Sequence, residues 1–522
     1  MESSSFPLLS TLVFLPLVGV LLLLFVDREN HAVQRWTALT VMSGGFVLAL
    51  FVYAGFDPGN VAFQFEEKHA WIPGLGISYH LGIDGISVLL VMLTAFLGPI
   101  CVVACWTDIR VRLKEFLVCL LLLQTGMLGV FVSLDLVLFY IFWEVMLIPM
   151  ALLILIWGHP ARRIYAAVKF FLYTMAGSVF MLVGILVLYF HQARTTGTAS
   201  FDWTTMAGLN LPFSLQLWLF LAFGVAFAIK VPMFPFHTWL PDAHTEAPTV
   251  GSVVLAAVLL KMGTYGFLRF NLPLFPDASV FFMPVMMALA LVGIIYGAFM
   301  CLVQKDLKRL IAFSSVSHLG FVILGIFSFT VQGVQGGVLQ MINHGLSTGA
   351  LFLLVGMLYE RRHTRMIADF GGLSTPVPAF STFFMIATLA SIGLPGLNGF
   401  VGEFLILLGT FHVKPAWAVL GATGVILAAW YMLWMVQRVF YGTVTHAENA
   451  TLRDLVPREI GLLVPVVAMM VWIGVAPTPF LQKSEPAVAH ALRKVQESVQ
   501  TAQGQNNSWM MACAAWEYLK GK

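Results

Sequence analysis

Long apolar runs separated by short polar loops make up most of the chain. Runs of about 17 to 25 residues, the length that crosses a hydrocarbon core of roughly 30 Å, recur near 7–27, 36–54, 85–106, 115–133, 136–157, 165–190, 213–239, 247–270, 279–300, 308–327, 335–358, 379–410, 416–440 and 459–476. They predict an all-α polytopic membrane protein with fourteen transmembrane helices in one integral domain. Two of the helices are interrupted. The seventh carries Lys230-Val231-Pro232-Met233-Phe234-Pro235, and the twelfth carries Gly393-Leu394-Pro395-Gly396-Leu397-Asn398-Gly399. A proline inside a helix removes a hydrogen bond and clashes with the carbonyl four residues back. At membrane depth the freed groups must be satisfied by protein or trapped water, so matching breaks in two halves point to an ion path built from inverted repeats. The competing explanation of each break is a packing kink.

Loop charge then orients the helices. With the N-terminus outside, the cytoplasmic loops hold 17 Lys and Arg, among them Arg110, Arg162, Arg163, Lys308, Arg361, Arg362 and Arg365, and the opposite loops hold 4. Basic residues collect on the cytoplasmic side, so both termini are expected on the outer, periplasmic side. MESSS has no basic n-region, so the first run is expected to remain as a helix and not to be cleaved as a signal peptide.

Composition agrees: 59% of residues are hydrophobic and 10% charged, against about 25% charged in soluble proteins. The five cysteines show no CxxC and no His-interleaved spacing, which signals neither a metal site nor a disulfide framework. A net charge of +3 spread over many loops makes no basic patch, and no Gly-rich phosphate loop is present, so nucleic acid is not an expected partner. The partner expected from composition is the lipid bilayer.

Against this background four charges stand out. Lys230 lies in LAFGVAFAIKVPMFPF, Lys261 in SVVLAAVLLKMGTYGF, Glu144 in LVLFYIFWEVMLIPM and Glu403 in GFVGEFLILLGTF, all inside expected spans. A lone charge at bilayer depth costs several kcal/mol and is kept where it pairs, faces water or carries ions. His244 and Glu246, in DAHTEAP, read as loop or helix-cap residues, and Asp84 and Asp135 as helix-start acids.

The fifth-helix wording SLDLVLFYIFWEVMLIPMALLILIWGHP and the stretch AIKVPMFPFHTWLPDAHTEAPTVGSVVLAAVLLKMGTYGFLRF carry a resemblance. HLGIDGISVLL, KDLKRLIAFSSVSHLGF and MINHGLSTGALFLLVG extend it over roughly residues 80–440. Together they resemble the proton-translocating antiporter-like membrane subunits of respiratory complex I, the NADH:quinone oxidoreductase. Glu403, where two of three homologous subunits typically carry lysine, is similar to the type called NuoM in bacteria and ND4 in mitochondria. The resemblance implies a pair between Glu144 and Lys230, a central Lys261, a terminal Glu403, and linking histidines His237, His318 and His344. It implies three N-terminal helices over 1–106, a first five-helix repeat over 107–270, a second, inverted one over 271–441, and a fourteenth helix with an amphipathic tail over 442–522.

It also implies that this chain carries no cofactor, the FMN, iron–sulfur clusters and quinone belonging to partner subunits. The expected neighbours are the NuoL/ND5-like and NuoN/ND2-like subunits, and the expected location is a bacterial inner membrane. A subunit of an Mrp-type Na+/H+ antiporter or of a related hydrogenase or NDH complex would share the charged helices. A purely structural membrane subunit would not need them, and no substrate-pocket signature favours a metabolite carrier.

Elementary electrostatics gives the proposed pair a usable size. Two unit charges about 4 Å apart at an effective dielectric near 20 attract by about 4 kcal/mol, about a thousandfold in proton affinity. Moving one charge against about 200 mV costs roughly 4.6 kcal/mol. Lysine suits such a step because burial moves its proton affinity readily, whereas arginine keeps its proton; histidine, titrating near neutrality, suits intermediate positions. Each of these residues also has a plainer explanation: a static ion pair for Glu144 and Lys230, an interface position for Glu403, satisfied core histidines for the other three. In the tail, 486–501 reads as an amphipathic helix at the membrane interface or against a partner, and NNSWMMACAAWEYLKGK matches nothing in the family.

Overall fold

The computed structural model describes residues 6–504. In chain order it consists of α1 (Leu8–Phe25), α2 (His31–Gly55), a hairpin of β1 (Gln64–Ile72) and β2 (Ile77–Ile83), α3 (Ser87–Ala104), α4 (Leu113–Val132) and α5 (Leu136–Trp157). There follow α6 (Arg163–Thr196), α7 (Phe213–Lys230), α8 (Thr249–Leu274), α9 (Pro276–Leu302), α10 (Leu307–Ile326) and α11 (Val331–Arg362). α12 comes in two halves, Pro378–Ser391 and Asn398–Val413, before α13 (Pro415–Phe440), α14 (Pro457–Val475) and α15 (Thr478–Gly504). Among the described residues thirteen helices are long and apolar enough to cross a membrane, and the halves of α12 are shorter apolar helices. The chain is thus an integral membrane protein of helical architecture, with each expected span matched by a helix or an interrupted helix.

Short polar signals set the helix starts. Asp135 caps α5 by accepting from the Val137 and Leu138 amides at 2.9 and 3.3 Å. Asp306 does the same for Lys308 and Arg309 at the head of α10. Such caps satisfy amides that have no partner within the helix.

Both expected interruptions are present. α7 stops at Lys230, and a turn through Pro232 and Pro235 leads to a short helix, Trp239–Glu246. In α12 the chain leaves the helix at Ser391, passes Gly393 and Gly396 with φ of 76° and 91°, and re-enters at Asn398. Gly399 is required here, because a Cβ would stand 2.1 Å from the Ala390 carbonyl oxygen. A third irregularity was not expected: α8 contains π-helical turns at Leu255–Leu259 and Phe267–Asn271.

Burial is uneven. The apolar stretches of α8 and α11 are wholly enclosed, whereas those of α1, α2 and α14 are only about a third buried. Sequence reading also missed the hairpin, which ties several helices together on one side. Ser78 donates to Asp135 Oδ2 through its amide at 2.9 Å and its hydroxyl at 3.0 Å, and Leu134 N donates to His80 O at 2.9 Å. His80 meets Asp202 at 2.8 Å and Glu66 at 3.0 Å, and Lys68 meets Asp202 at 2.6 Å.

The amphipathic tail helix is longer than expected and packs on its own chain. α15 buries Val488, Leu492 and Val495 and lies along α9 and α11. Gln335 Nε2 donates to Leu481 O at 2.9 Å, and Lys483 Nζ donates to Tyr53 O and Phe56 O at 3.1 and 3.2 Å. Its apolar stripe thus fills a groove within its own chain. The segment NNSWMMACAAWEYLKGK lies outside the described residues.

Candidate functional site: a buried line of charge

Lys261 is fully enclosed in α8. Its ammonium donates to the Ala256 carbonyl in the π-helical turn at 2.5 Å and meets His344 Nδ1 of α11 at 2.5 Å. A protonated lysine has only donors, so the facing Nδ1 accepts and the proton of a neutral His344 sits on Nε2. That Nε2 is buried and has no partner among the described residues. The His318 ring of α10 follows with its centroid 5.9 Å from that of His344. His318 Nδ1 lies 2.9 Å from Glu403 Oε1 in the second half of α12, and its Nε2 lies 3.3 Å from Ser391 Oγ at the end of the first half. Glu403 is 3% exposed and accepts a further bond from Gln340 Nε2 at 3.0 Å. Lys261, His344, His318 and Glu403 therefore form one line across four helices, and the second break sits at its end.

Lys230 and Glu144 lie near each other without touching. Lys230 is 2% exposed, with its ammonium 5.2 Å from the centroid of Trp143 and 5.9 Å from that of Phe170. Ring faces attract a cation without supplying a base. Glu144, next in sequence to Trp143, is within electrostatic reach of Lys230. The two form no ion pair within 4.0 Å, and Glu144 Oε1 is buried with no partner among the described residues. The expected ion pair is therefore not formed in this structure. α7 nevertheless presses close to α8: a Cβ on Gly263 would stand 2.7 Å from Phe227 O. That contact lies two residues from Lys261, though no direct bond joins the two lysines among the described residues.

His237 stays apart from this line. It sits in the α7 break among Phe234, Tyr296 and Phe313, with ring centroids at 5.7, 5.0 and 6.4 Å. Its Nδ1 is buried and unpaired.

Two residues that sequence reading placed elsewhere belong near the line. His244, read as a loop or cap residue, is fully buried, stacks on Phe352 at 4.6 Å and leaves both ring nitrogens unpaired. It is within electrostatic reach of both Lys261 and Lys308. Lys308, counted as a loop charge, is 6% exposed and donates to the Ala247 carbonyl. Beside it opens a cavity of about 330 Å³ whose lining includes Asp108, His159, Glu246 and Arg365. The available signal was density: HTWLPDAHTEAP packs two histidines, an aspartate and a glutamate into one break.

Among the described residues no group of three or more His, Cys, Asp or Glu is placed to hold a metal ion. The arrangement is suited to moving protons: three basic groups end on an acid, shielded from solvent, with hydrogen bonds at both ends of the line and an unpaired ring nitrogen of His344 between them.

Residues 133–428 match the family described as NADH:quinone oxidoreductase/Mrp antiporter, transmembrane. The chain is 48% identical over 503 residues to NADH-quinone oxidoreductase subunit M of Rhodobacter capsulatus, covering 93% of this chain and 96% of the relative. It is 42% identical over 468 residues to NADH-ubiquinone oxidoreductase chain 4 of Chondrus crispus, covering 90% and 94%. Its fold is similar to a chain in the structure of respiratory complex I from Thermus thermophilus with bound NADH. There the TM-score is 0.85 at 32% identity, with 93% of this chain and 99% of that chain covered.

Proposed function

The chain belongs to the NADH:quinone oxidoreductase/Mrp antiporter transmembrane family, as a proton-translocating membrane subunit of complex I of the subunit M type, and from that premise we propose which of its residues move the proton. The observation that carries the proposal is the buried line Lys261, His344, His318, Glu403. Lys261 is the central proton carrier, His344 and His318 pass the proton along, and Glu403 is the terminal acid. Glu144 acts on Lys230 by closing and opening: closed, the pair holds the proton on the lysine; open, the lysine gives it up toward Lys261. His237 serves the α7 break. The chain moves charge and carries out no electron transfer; FMN, iron–sulfur clusters and quinone are assigned to other subunits.

The two breaks, in α7 and α12, support two inverted five-helix repeats over 107–270 and 271–441, behind three helices over 1–106 and ahead of 442–522. The 17-to-4 loop charge bias supports both termini outside a bacterial inner membrane. Flanking NuoL/ND5-like and NuoN/ND2-like subunits are the proposed neighbours. The test is gentle extraction of a tagged chain, mass spectrometry of what accompanies it, and proton pumping by the recovered complex with Lys261→Ala or Lys230→Ala. Flavin and iron–sulfur subunits with pumping lost in both variants support the proposal; full pumping by either variant in an assembled complex refutes its role.

A further inference from the structure

Three amides stand between the break in α12 and its acid. Asn343 and Asn398 are fully buried and Gln340 is 3% exposed. Asn343 and Asn398 grip each other across α11 and α12: Asn343 Nδ2 donates to Asn398 O at 2.7 Å, and Asn398 Nδ2 donates to Asn343 O at 3.2 Å. Asn343 Nδ2 also donates to Gln340 Oε1 at 3.3 Å, and Gln340 Nε2 donates to Glu403 Oε1 at 3.0 Å. An amide has one accepting and one donating end, so the direction of each bond fixes the next. The Asn398 carbonyl orients the Asn343 amino group, which orients the Gln340 oxygen, which turns a donor toward Glu403. A donor facing a carboxylate favours its charged form.

We propose that Gln340, Asn343 and Asn398 are positioning residues that make the proton affinity of Glu403 depend on the geometry of the α12 break. When the break moves and the Asn398 carbonyl withdraws, Asn343 can rotate and present Oδ1, which is buried and unpaired in this arrangement. Gln340 then turns its donor to Asn343 and its oxygen to Glu403, and an acceptor facing the carboxyl group favours the protonated acid. Ser391, at the other edge of the break, lies 3.3 Å from His318, which bonds the same acid. This inference rests on the assignment of Glu403 to the relay.

The experiment uses whole complex in proteoliposomes and records NADH-driven proton pumping against pH for wild type, Glu403→Gln, Gln340→Met, Asn343→Leu and Asn398→Ala. Gln340→Met keeps volume and removes the donor. It is expected to move the acidic limb of the profile to higher pH by about one unit, the change that about 1.4 kcal/mol produces. Asn343→Leu is expected to move it the same way, and the double variant no further than the larger single, since both act through one donor. Asn398→Ala keeps the backbone carbonyl that Asn343 uses and is expected to move the limb least, which supplies a second reading should either larger variant fail to assemble. If Glu403→Gln stops pumping while the Gln340 and Asn343 profiles overlay wild type, or if their shifts add, the clamp is overturned and the relay stands. If Glu403→Gln pumps normally, both fall.

Discussion

Replacing His344 tests the middle of the line, and the structure sets the size of the effect. The Lys261 ammonium has two acceptors, Ala256 O and His344 Nδ1, each at 2.5 Å, and no solvent. His344→Leu removes one of them. A hydrogen bond to a charged group is worth about 1.5–3 kcal/mol, so the protonated form of Lys261 should become roughly 10- to 100-fold less populated at a given pH. The same change empties the position between Lys261 and His318. His344→Gln separates the two effects, because its side-chain oxygen can still accept from Lys261 but the amide cannot take up and pass on a proton.

The assay is the initial rate of NADH-driven acidification of proteoliposomes beside the rate of quinone reduction in the same preparation. Both variants should assemble and lose pumping by tenfold or more. Only His344→Leu should also change the pH at which the remaining activity is half-maximal. Pumping at the wild-type rate in His344→Gln would refute a proton path through this ring.

Other parts of the molecule make their own predictions. Glu144→Gln should abolish the closing of the pair with Lys230 and reduce pumping at least tenfold, while Glu144→Asp, which keeps the charge with a shorter reach, should retain part of it; equal rates in the two variants would show that the charge is not used. Gly399→Ala forces its Cβ to within 2.1 Å of Ala390 O, so the halves of α12 must separate, whereas Gly461→Ala meets nothing within 4 Å. Complex yield and pumping should fall in the first and not in the second, since displacements of about 1 Å near a reacting group can cost a hundredfold. On the hairpin, burial opposes the charge on His80, but Asp202 and Glu66 overcome it and raise its pKa. Burial likewise opposes the Asp202 charge, but His80, Lys68 and Thr204 hold that carboxyl below the usual carboxylate range. The His80 contribution is full below about pH 6.5 and is lost as pH rises through its raised value; that of Asp202 is present above about pH 3.9 and is lost as pH falls through its lowered value. Amide-exchange protection over residues 64–83, corrected for intrinsic rates, should therefore decline on the alkaline side in wild type and show no such decline in His80→Phe.

The spans were legible because bilayer thickness dictates their length, and the breaks because proline and glycine cannot hide inside a helix. Lys230, Lys261, Glu144 and Glu403 were legible because charge is conspicuous among apolar residues. The hairpin was not: QFEEKHAWI has no strict alternation, and most of β1 is exposed, so no buried face imprints a period of two. The π-helical turns of α8 were hidden for the opposite reason. Every residue there is buried, so all faces of the helix are equally apolar and no periodicity records where the turn widens. His244 and Lys308 were misplaced because position relative to a span end says where a charge starts, not whether the chain folds back over it. That Glu144 and Lys230 form no ion pair in this structure is a matter of side-chain placement that no spacing encodes.

The enclosure of α8 bears on how such a chain can be made. A lysine at mid-membrane makes insertion less favourable by about 2.5–3.5 kcal/mol, and each Leu, Ile, Phe or Val returns only about 0.3–0.6. Synthesis releases α8 well before α11, since Lys261 and the His344 that receives its bond are 83 residues apart. During that interval the ammonium has only the Ala256 carbonyl and whatever helices have already gathered. In the folded chain α8 also packs on α3, α4 and α7, which precede it, and α11 completes its enclosure. Enclosure of Lys261 is thus completed only by a helix made later in the chain, and the burial of that one ammonium links the order of synthesis to the order of packing.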